Sequence, residues 1–410
     1  MMTVERYRCF VAPATIELRP LTVLFGKNSA GKSTISRALP LLAASCGPSS
    51  ANRTGPLALE HPAAMGVRYA DLRTYLVARN DIGVKLSWDV QGVNEVEIGL
   101  RDMTDLGPSR QVVSRLTIRD DGSRDVLRAE LDAEAPRLVT EGAAPVALEL
   151  NGISPKPVAS LPLPMREAVT RIEELMLGLF NSVDWLGPIR VQPPRARVQR
   201  IDTARLGAFG EHLTEVLAQA NSSDLLRLVS IATAAIFGSH LEIAEEAGEI
   251  SVAMRTGSHR THVLDVGAGV AQVLPVLVRL AEVELGRSNG RIVVIEQPEA
   301  HLHPDAEVEL SNIIVRAVAA QKAAIDRPHM VLETHSENLL LSLQLAVLEK
   351  RLAPDDVLLY WFDRLDDGSV VPSPITIDAN GRPDPQLPPG VFSENLEIAR
   401  KILRARSTRS

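Results

Sequence analysis

The stretch LTVLFGKNSAGKSTI at residues 21–35 constrains the fold of this chain more than any other feature. Residues 26–33 fit the pattern G-x-x-x-x-G-K-[ST], in which two glycines let the backbone turn tightly so that successive N–H groups point inward. This pattern needs a buried strand before the loop and a helix after it. The apolar run LTVLF and the helically spaced KSTISRALPLLAAS supply both. The segment therefore predicts a strand, a phosphate-binding loop and a helix.

Each polar group of this loop has a predicted role. Lys32 places an ammonium group between the β- and γ-phosphates of a nucleoside triphosphate, and the Ser33 hydroxyl is a ligand of Mg²⁺. The loop N–H groups and the positive end of the following helix bind the phosphates. The predicted nucleotide-binding residues of the loop are Gly26, Lys27, Asn28, Ser29, Ala30, Gly31, Lys32, Ser33 and Thr34.

A loop of this kind needs an acidic residue at the end of a neighbouring strand, where it holds Mg²⁺ through the water shell of the ion. The buried run RIVVIE ends in such a residue, Glu296, which we predict to hold the metal together with Ser33. Three further motifs accompany it: DVGAGVAQVLP at residues 265–275, QPEAHLHP directly after Glu296, and LETHSENLL at residues 332–340.

The four motifs in this order resemble the ATPase domain of OLD-type (overcoming lysogenization defect) proteins, which belong to the ABC class of ATPases alongside SMC-type chromosome proteins. The segments DWLGPIRVQPPR and LPPGVFSENLEIARKIL are similar to a stand-alone bacterial branch with a short C-terminal domain of uncharacterised role. The resemblance implies an ATPase that uses ATP and Mg²⁺. It also implies a homodimer, or a higher oligomer, of heads with ATP between the subunits.

The resemblance also assigns roles to residues outside the loop. Gly267 and Gly269 are expected to approach the γ-phosphate held by the partner subunit, because only glycine permits so close a backbone approach. His335 falls where the family's histidine contacts the γ-phosphate or the attacking water. His301 and His303 stand two apart and could bind a metal, but the family's HLHP segment favours a role at the dimer interface.

One position departs from the ABC pattern. The residue after the metal-binding acid is usually a glutamate that polarises the attacking water, and here it is Gln297. A glutamine can orient water but cannot accept its proton. We expect slow turnover, with Gln297 and Glu299 jointly positioning the water. The predicted catalytic residues are Glu296, Gln297, Glu299 and His335.

The expected fold is α/β: a P-loop NTPase with an ABC-type ATPase head, a mostly parallel central sheet, an antiparallel β subdomain and a helical inserted subdomain. Short alternating segments between residues 65 and 150 are typical of antiparallel strands, and residues 165–182 and 205–238 of amphipathic helices. The predicted units are 1–55 and 255–375 as the two parts of the head, 56–254 as the inserted β and helical region, and 376–410 as a short appendage.

Composition restricts the cellular compartment and the partners that we expect for this chain. Two cysteines, Cys9 and Cys46, give no disulfide framework and favour the cytoplasm. The apolar run near VLPVLVRLAEVEL is broken by Arg279, well short of the ~18–20 residues that a membrane span requires, so we expect no membrane contact. A net charge of −7 argues against a surface that binds nucleic acid everywhere.

One local basic segment, residues 187–205, holds Arg190, Arg195, Arg197, Arg200 and Arg205. A solvated loop, contact with ATP phosphates and contact with the backbone of double-stranded DNA all remain open for it. The adenine contact is also open: Arg8 and Phe10 could stack on the base, or Phe10 could belong to the core.

Two hypotheses follow for the role of the nucleotide. In the first, an ATPase passes a conformational change to a separate effector protein or to DNA, in anti-phage defence or DNA maintenance. In the second, ATP closes a dimeric scaffold and hydrolysis is negligible. OLD-type proteins usually carry a Toprim nuclease after the ATPase. Only 75 residues (336–410) follow His335 here, and the acidic DRLDDG reads as a hairpin turn, so a built-in nuclease is disfavoured.

Overall fold

The fold is that of a computed structural model, which describes residues 1–48, 55–78, 81–103, 111–132, 137–142, 144–198, 205–220, 223–246, 249–288, 290–322, 324 and 327–388. Its strands are β1 (Met2–Glu5), β2 (Ala14–Ile16), β3 (Leu21–Gly26), β4 (Asp81–Ser87), β5 (Val93–Asp102), β6 (Gln111–Asp120), β7 (Asp125–Leu131), β8 (Leu138–Thr140), β9 (Ala147–Asn151), β10 (Ser154–Lys156), β11 (Val183–Leu186), β12 (Arg197–Val198), β13 (His240–Glu246), β14 (Glu249–Thr256), β15 (His259–His262), β16 (Ile292–Glu296), β17 (His329–Thr334), β18 (Val357–Arg364), β19 (Val370–Ile377) and β20 (Pro383–Asp384). Its helices are α1 (Lys32–Cys46), α2 (Tyr69–Leu72), α3 (Leu163–Ser182), α4 (Leu213–Gln219), α5 (Asp224–Phe237), α6 (Val263–Val266), α7 (Ala268–Glu284), α8 (Pro304–Ala320) and α9 (Glu337–Leu348).

A mostly parallel sheet forms the centre of the molecule. Within the described ranges its strand order is β11-β16-β17-β3-β18-β19-β20, and the pairs from β11 to β18 are all parallel. β19 and β20 extend the sheet in antiparallel fashion, and β18 and β19 form the hairpin expected around DRLDDG. Buried strands that alternate with helices produce this arrangement, and the predicted α/β fold is confirmed.

Both faces of the parallel sheet are covered, which explains the continuous apolar runs of its strands. Successive side chains of a strand point to opposite faces. Leu24 belongs to a core that includes α1 and α3, whereas Val23 and Phe25 belong to a core that includes α5, α7, α8 and α9. β16 and β17 divide in the same way. A strand buried on both faces needs no polar alternation, and LTVLF shows none.

An antiparallel sheet packs on the α1 and α3 side, as the alternating segments predicted. Its order in the described part of the chain is β10-β9-β8-β7-β6-β5-β4-β1-β2. Val96, Ile98 and Leu116 of this sheet share the core with α1. β1 and β2 come from the first residues of the chain, so the N-terminal segment contributes strands to both sheets.

The part of the chain between β11 and β16 is partly helical. The 205–238 segment forms helix only from Leu213 onward, because Gly207 and Gly210 adopt positive φ values of 83° and 72° that interrupt a helix. β12, β13, β14 and β15 form a small antiparallel sheet beside these helices. β11, within the predicted insertion at 56–254, is a strand of the parallel sheet. The unit boundaries stay predictions, and residues 389–410 of the predicted appendage lie outside the described residues.

A buried ion-pair network attaches α7 to the edge of the parallel sheet. The side chain of Arg279 is only 4% exposed, and its Nη1 lies 2.8 Å from Glu282 Oε2 and 3.3 Å from Asp184 Oδ2. This arginine is the charge that interrupts the longest apolar run of the sequence. No helix in the described ranges is long and apolar enough to cross a membrane.

We expect Arg279→Met to lower the free energy of unfolding by up to about 3 kcal/mol, because it leaves two partly buried carboxylates without their cation. Chemical denaturation of both proteins measures the difference. Arg255→Met is the matched control, since Arg255 pairs with Glu242 at the surface, where ion pairs contribute little. Equal stability of the two variants would contradict the buried network.

Candidate active site

The glycine-rich loop between β3 and α1 has the backbone geometry that its sequence predicts. Gly26 and Gly31 have φ values of 147° and 88°. A Cβ atom at Gly31 would lie 2.7 Å from Cys9 Sγ, and one at Gly26 would lie 2.7 Å from the Phe362 carbonyl oxygen. Any larger residue at either position would therefore both strain the backbone and displace a neighbour.

Lys32 is folded onto the loop. Its Nζ donates hydrogen bonds to the carbonyl oxygens of Gly26, at 2.9 Å, and Lys27, at 2.7 Å. Burial lowers the pKa of Lys32 to about 8, although Glu333 and Glu299 act in the opposite direction. The loop thus holds a cationic group that is poorly solvated and supplied only with neutral acceptors, which suits it to a polyanionic ligand.

Two carboxylates end neighbouring strands beside the loop. Glu296 of β16 and Glu333 of β17 are register partners, and β17 lies between β16 and β3. Ser33 Oγ donates to Glu333 Oε1 at 2.5 Å, and Ser36 Oγ lies 2.8 Å from Glu333 Oε2. The sequence analysis did not assign Glu333 a role. The sequence did contain an indication of such a role, because Glu333 follows the buried run HMVL just as Glu296 follows RIVVI.

Glu296 has a different environment. It is fully buried, and Arg37 of α1 donates to both of its oxygens, with Nη2 at 2.7 Å from Oε2. Trp185 Nε1 also donates to Oε1 at 3.0 Å, and Ser36 Oγ lies 3.1 Å from Oε1, so the single hydrogen of Ser36 can be donated to either Glu296 or Glu333. The partners of Glu296 thus lie on α1 and β11, whereas Ser33, its predicted partner at the metal, donates to Glu333.

The segments after the two strands are held together by Glu299. Its Oε1 accepts hydrogen bonds from Thr334 Oγ1 at 2.9 Å and from the backbone N–H of His335 at 2.8 Å. Its Oε2 is buried with no hydrogen-bond partner in the described part of the chain, and burial raises the pKa of this carboxyl. Gln297 adopts a φ of 46° and donates its N–H to the Glu333 carbonyl at 2.7 Å. Such a backbone conformation is unusual for a non-glycine residue.

These elements meet at a cleft of about 560 Å³. Of the predicted residues, the loop from Asn28 to Thr34, Gln297 and His335 line it. The full lining is Arg8, Cys9, Asn28, Ser29, Ala30, Gly31, Lys32, Ser33, Thr34, Asp71, Arg73, Tyr75, Gln297, Glu333, His335 and Arg364. Burial lowers the pKa of His335, and the charge of Lys32 lowers it further. The histidine is therefore favoured in its neutral form beside the loop.

The open question about the adenine contact is partly answered. Phe10 is fully buried and packs edge-on against Phe362, with ring centroids 6.3 Å apart, so it belongs to the core. Arg8 lines the cleft. Tyr75 and Arg364, which the sequence analysis did not single out, also line it. Tyr75 is 78% exposed, and Arg364 Nη2 donates to the Ser29 carbonyl at 3.1 Å.

The second glycine segment lies outside this cleft. Gly267 has a φ of 140° and open space around its Cα, and it is exposed together with its neighbours at the start of α7. A Cβ at Gly269 would lie 2.8 Å from the His301 carbonyl oxygen, so this glycine permits a close approach within its own subunit. His303 caps α8 by accepting from Asp305 N at 3.4 Å. Within the described ranges there is no cluster of three or more metal-binding side chains around these histidines or elsewhere.

Two of the five arginines of the basic segment are held by contacts within the chain. Arg190 is 2% exposed and donates to the carbonyl oxygens of Glu296, Gln297 and Gln272. Burial lowers its pKa to about 10. Arg195 forms two hydrogen bonds with Asp265, at 2.6 and 2.9 Å. Of the remaining arginines, Arg205 is exposed, and the Arg197 side chain and Arg200 lie outside the described residues. Arg190 is therefore buried and does not present its guanidinium to a polyanion at the surface, and the alternatives stay open for the rest of the segment.

Residues 214–340 match the family described as AAA ATPase domain, a range that contains Gly267, Glu296 and His335. Three solved structures match this chain over most of its length, each with a TM-score below 0.5. They are an SMC head bound to the C-winged helix domain of ScpA (12% identity, 92% of this chain and 97% of that chain, TM-score 0.49), the SMC head domain from Thermotoga maritima (11%, 91% and 97%, 0.39), and an Smc head with an extended coiled coil bound to the C-terminal domain of ScpA, from Pyrococcus furiosus (11%, 99% and 98%, 0.46). No curated protein matches the chain. The family match supports an ATP-binding ATPase.

We expect the affinity for nucleotide to fall as the pH rises through about 8, the pKa of Lys32 in the free protein. Phosphates stabilise the ammonium form, so above this pH binding must include the uptake of a proton. Titration with a fluorescent, non-hydrolysable ATP analogue at a series of pH values measures how steeply the dissociation constant rises with pH. Lys32→Arg should make this rise smaller, because a guanidinium stays charged. A pH-independent affinity of the unaltered protein would contradict this role.

Proposed function

We propose that the protein binds and slowly hydrolyses ATP with Mg²⁺ in the cleft formed by the glycine-rich loop and the ends of β16 and β17. The observation that carries this proposal is the convergence of Lys32, Ser33, Gln297 and His335 on one cleft. A strand, this loop and a helix in series form a phosphate-binding site in a parallel α/β sheet.

The donor set fits the proposed ligands. The loop N–H groups and the Lys32 ammonium bind phosphate oxygens, which take the place of the Gly26 and Lys27 carbonyls as acceptors. The Ser33 hydroxyl would supply an oxygen ligand of the kind that Mg²⁺ prefers, and a carboxylate at the strand ends, that of Glu296 or Glu333, would support the ion through its water shell. When bound, Mg²⁺ neutralises charge on the β- and γ-phosphates.

Water is positioned by residues of the two segments after the strands. Gln297 and His335 line the cleft and can orient a water by hydrogen bonds, but a glutamine cannot accept a proton. Glu299, which does not line the cleft, is the predicted base. The bonds from Thr334 and His335 hold its Oε1, and Oε2 remains without a partner in the described part of the chain. A base held in this way supports slow turnover.

We further propose a homodimer in which the start of α7, with Gly267 and Gly269, meets the nucleotide of the partner subunit. The exposure of this segment and its position outside its own cleft support that arrangement. Hydrolysis of ATP would then drive a conformational change that acts on a separate effector protein or on double-stranded DNA in the cytoplasm. The biological role would be anti-phage defence or DNA maintenance. A nuclease activity is not part of this proposal.

A nucleotide-gated scaffold with negligible hydrolysis is the second candidate. Two observations favour it: glutamine replaces the usual glutamate at position 297, and Glu299 is engaged in holding the two segments together. Steady-state ATP hydrolysis with and without double-stranded DNA separates the candidates. Turnover stimulated by DNA supports the ATPase, and ATP-dependent dimerisation with negligible turnover supports the scaffold.

We expect Glu299→Gln to lower kcat by more than about tenfold while leaving ATP binding intact, because the amide keeps an acceptor for Thr334 but cannot take a proton. Phosphate release and nucleotide titration measure the two quantities. Lys32→Ala is the comparison variant and should lose binding as well. Unchanged turnover in Glu299→Gln would remove Glu299 from the mechanism.

We expect Ala268→Arg to abolish ATP-dependent dimerisation without weakening nucleotide binding to one subunit, since Ala268 is exposed at the start of α7. Light scattering with a non-hydrolysable analogue measures the mass. Gly178→Arg, at an exposed position of α3 with open space around it, is the matched control and should still dimerise. A dimer that forms equally well with both variants would place the interface elsewhere.

A further inference from the structure

The two carboxylates at the strand ends are unequally placed with respect to the glycine-rich loop. β17 lies next to β3, the strand that leads into the loop, whereas β16 lies one strand further away. Neighbouring strands are about 4.8 Å apart. Glu296 and Glu333 are paired in register, so Glu333 is nearer to the loop by one strand spacing. Only Glu333 of the two lines the cleft.

The hydrogen bonds of Glu296 take up most of its acceptor capacity. A carboxylate has about four lone-pair sites. Arg37 donates through Nε, which is shared by both oxygens of Glu296, and through Nη2 to Oε2, and Trp185 Nε1 donates to Oε1. With its charge matched by Arg37 and full burial, Glu296 has the surroundings of a structural ion pair that fastens α1 and β11 to β16.

The surroundings of Glu333 are those of a group facing a cation. It forms no ion pair within the described ranges, and its hydrogen bonds come from neutral hydroxyls, those of Ser33 and of Ser36, whose single hydrogen has its shorter contact with Glu333. Ser33 is the residue that the loop pattern assigns to Mg²⁺. Glu333 is 2% exposed, so its negative charge is held in a poorly solvated position directly beside that hydroxyl.

We propose that Glu333 is the carboxylate that supports Mg²⁺ at Ser33, and that Glu296 serves with Arg37 as a structural pair. This assignment rests on the proposed nucleotide site. It transfers the role of supporting the metal from Glu296 of β16, which the sequence pattern predicted, to Glu333 of the neighbouring strand β17. Glu333 keeps the Ser33 hydroxyl oriented by accepting its proton and presents negative charge to the hydrated ion. Glu333 would thus act as an outer-shell hydrogen-bond acceptor for the groups that hold a divalent cation.

The test compares the affinity of the full chain for a fluorescent β,γ-imido analogue of ATP in the presence of Mg²⁺ and in the presence of EDTA. The ratio of the two dissociation constants isolates the contribution of the metal. Glu333→Gln is expected to reduce that ratio by about 10- to 100-fold, as the loss of an outer-shell partner does. Its affinity in EDTA should stay close to that of the unaltered protein.

Two further variants make the outcome decisive. Arg37→Gln combined with Glu296→Gln removes the buried pair without leaving an unpaired charge, and it is expected to retain the greater part of the metal effect but to unfold at a lower temperature. Glu307→Gln is the matched control, because Glu307 also accepts from a serine hydroxyl, that of Ser336, at 2.6 Å and lies outside the cleft lining.

A metal effect retained in Glu333→Gln and lost in the double variant would overturn the assignment and restore Glu296, with the nucleotide site intact. A metal effect retained in all variants would also overturn it. If the unaltered protein binds no analogue under either condition, the proposed nucleotide site itself fails, and the assignment fails with it.

Discussion

The parallel register of β3, β17 and β16 is the constraint on which the site depends. Parallel strands bring their carboxyl ends to one edge of a sheet, and ligands of open α/β sheets bind outside that edge. Gly26 is the last residue of β3, Glu296 the last of β16 and Glu333 the penultimate residue of β17, and the pairing of the strands leaves little freedom in where the two carboxylates lie. Cores on both faces hold this register, because a slip by one residue would exchange the side chains that face α1 and α7.

The polar groups buried at this edge form connected networks. Arg37 matches the charge of Glu296, Ser36 is shared by Glu296 and Glu333, and Glu299 joins the segment after β16 to the segment after β17. A buried polar group without a partner is costly, so each of these contacts restricts the others. Lys32 of the loop lines the cleft and is bonded only to neutral carbonyl oxygens, so its charge has no carboxylate as a hydrogen-bond partner within the described ranges.

Local signals explain how much of this could be predicted from the sequence. The loop, its flanking strand and helix, and the sheet around them follow from short-range patterns, and residues 28–34, Gln297 and His335 do meet in one cleft. Strand order and side-chain partners are long-range properties. The sequence therefore offered two acids that end buried strands and could not tell which lies next to the loop. It also could not show that Arg190 is buried or that Phe10 belongs to the core.

Arg190 has a consequence for how the molecule can move. Its guanidinium donates to carbonyl oxygens on the segment after β16, and its own backbone N–H and C=O are bonded to the Gln272 side chain of α7, at 3.1 and 2.8 Å. The exposed start of α7 and the strained residue Gln297 are thus parts of one hydrogen-bonded unit. In the proposed dimer, a displacement of α7 by the second subunit would either break this unit or shift Gln297, and it would thereby link dimerisation to the orientation of water at the site in both directions.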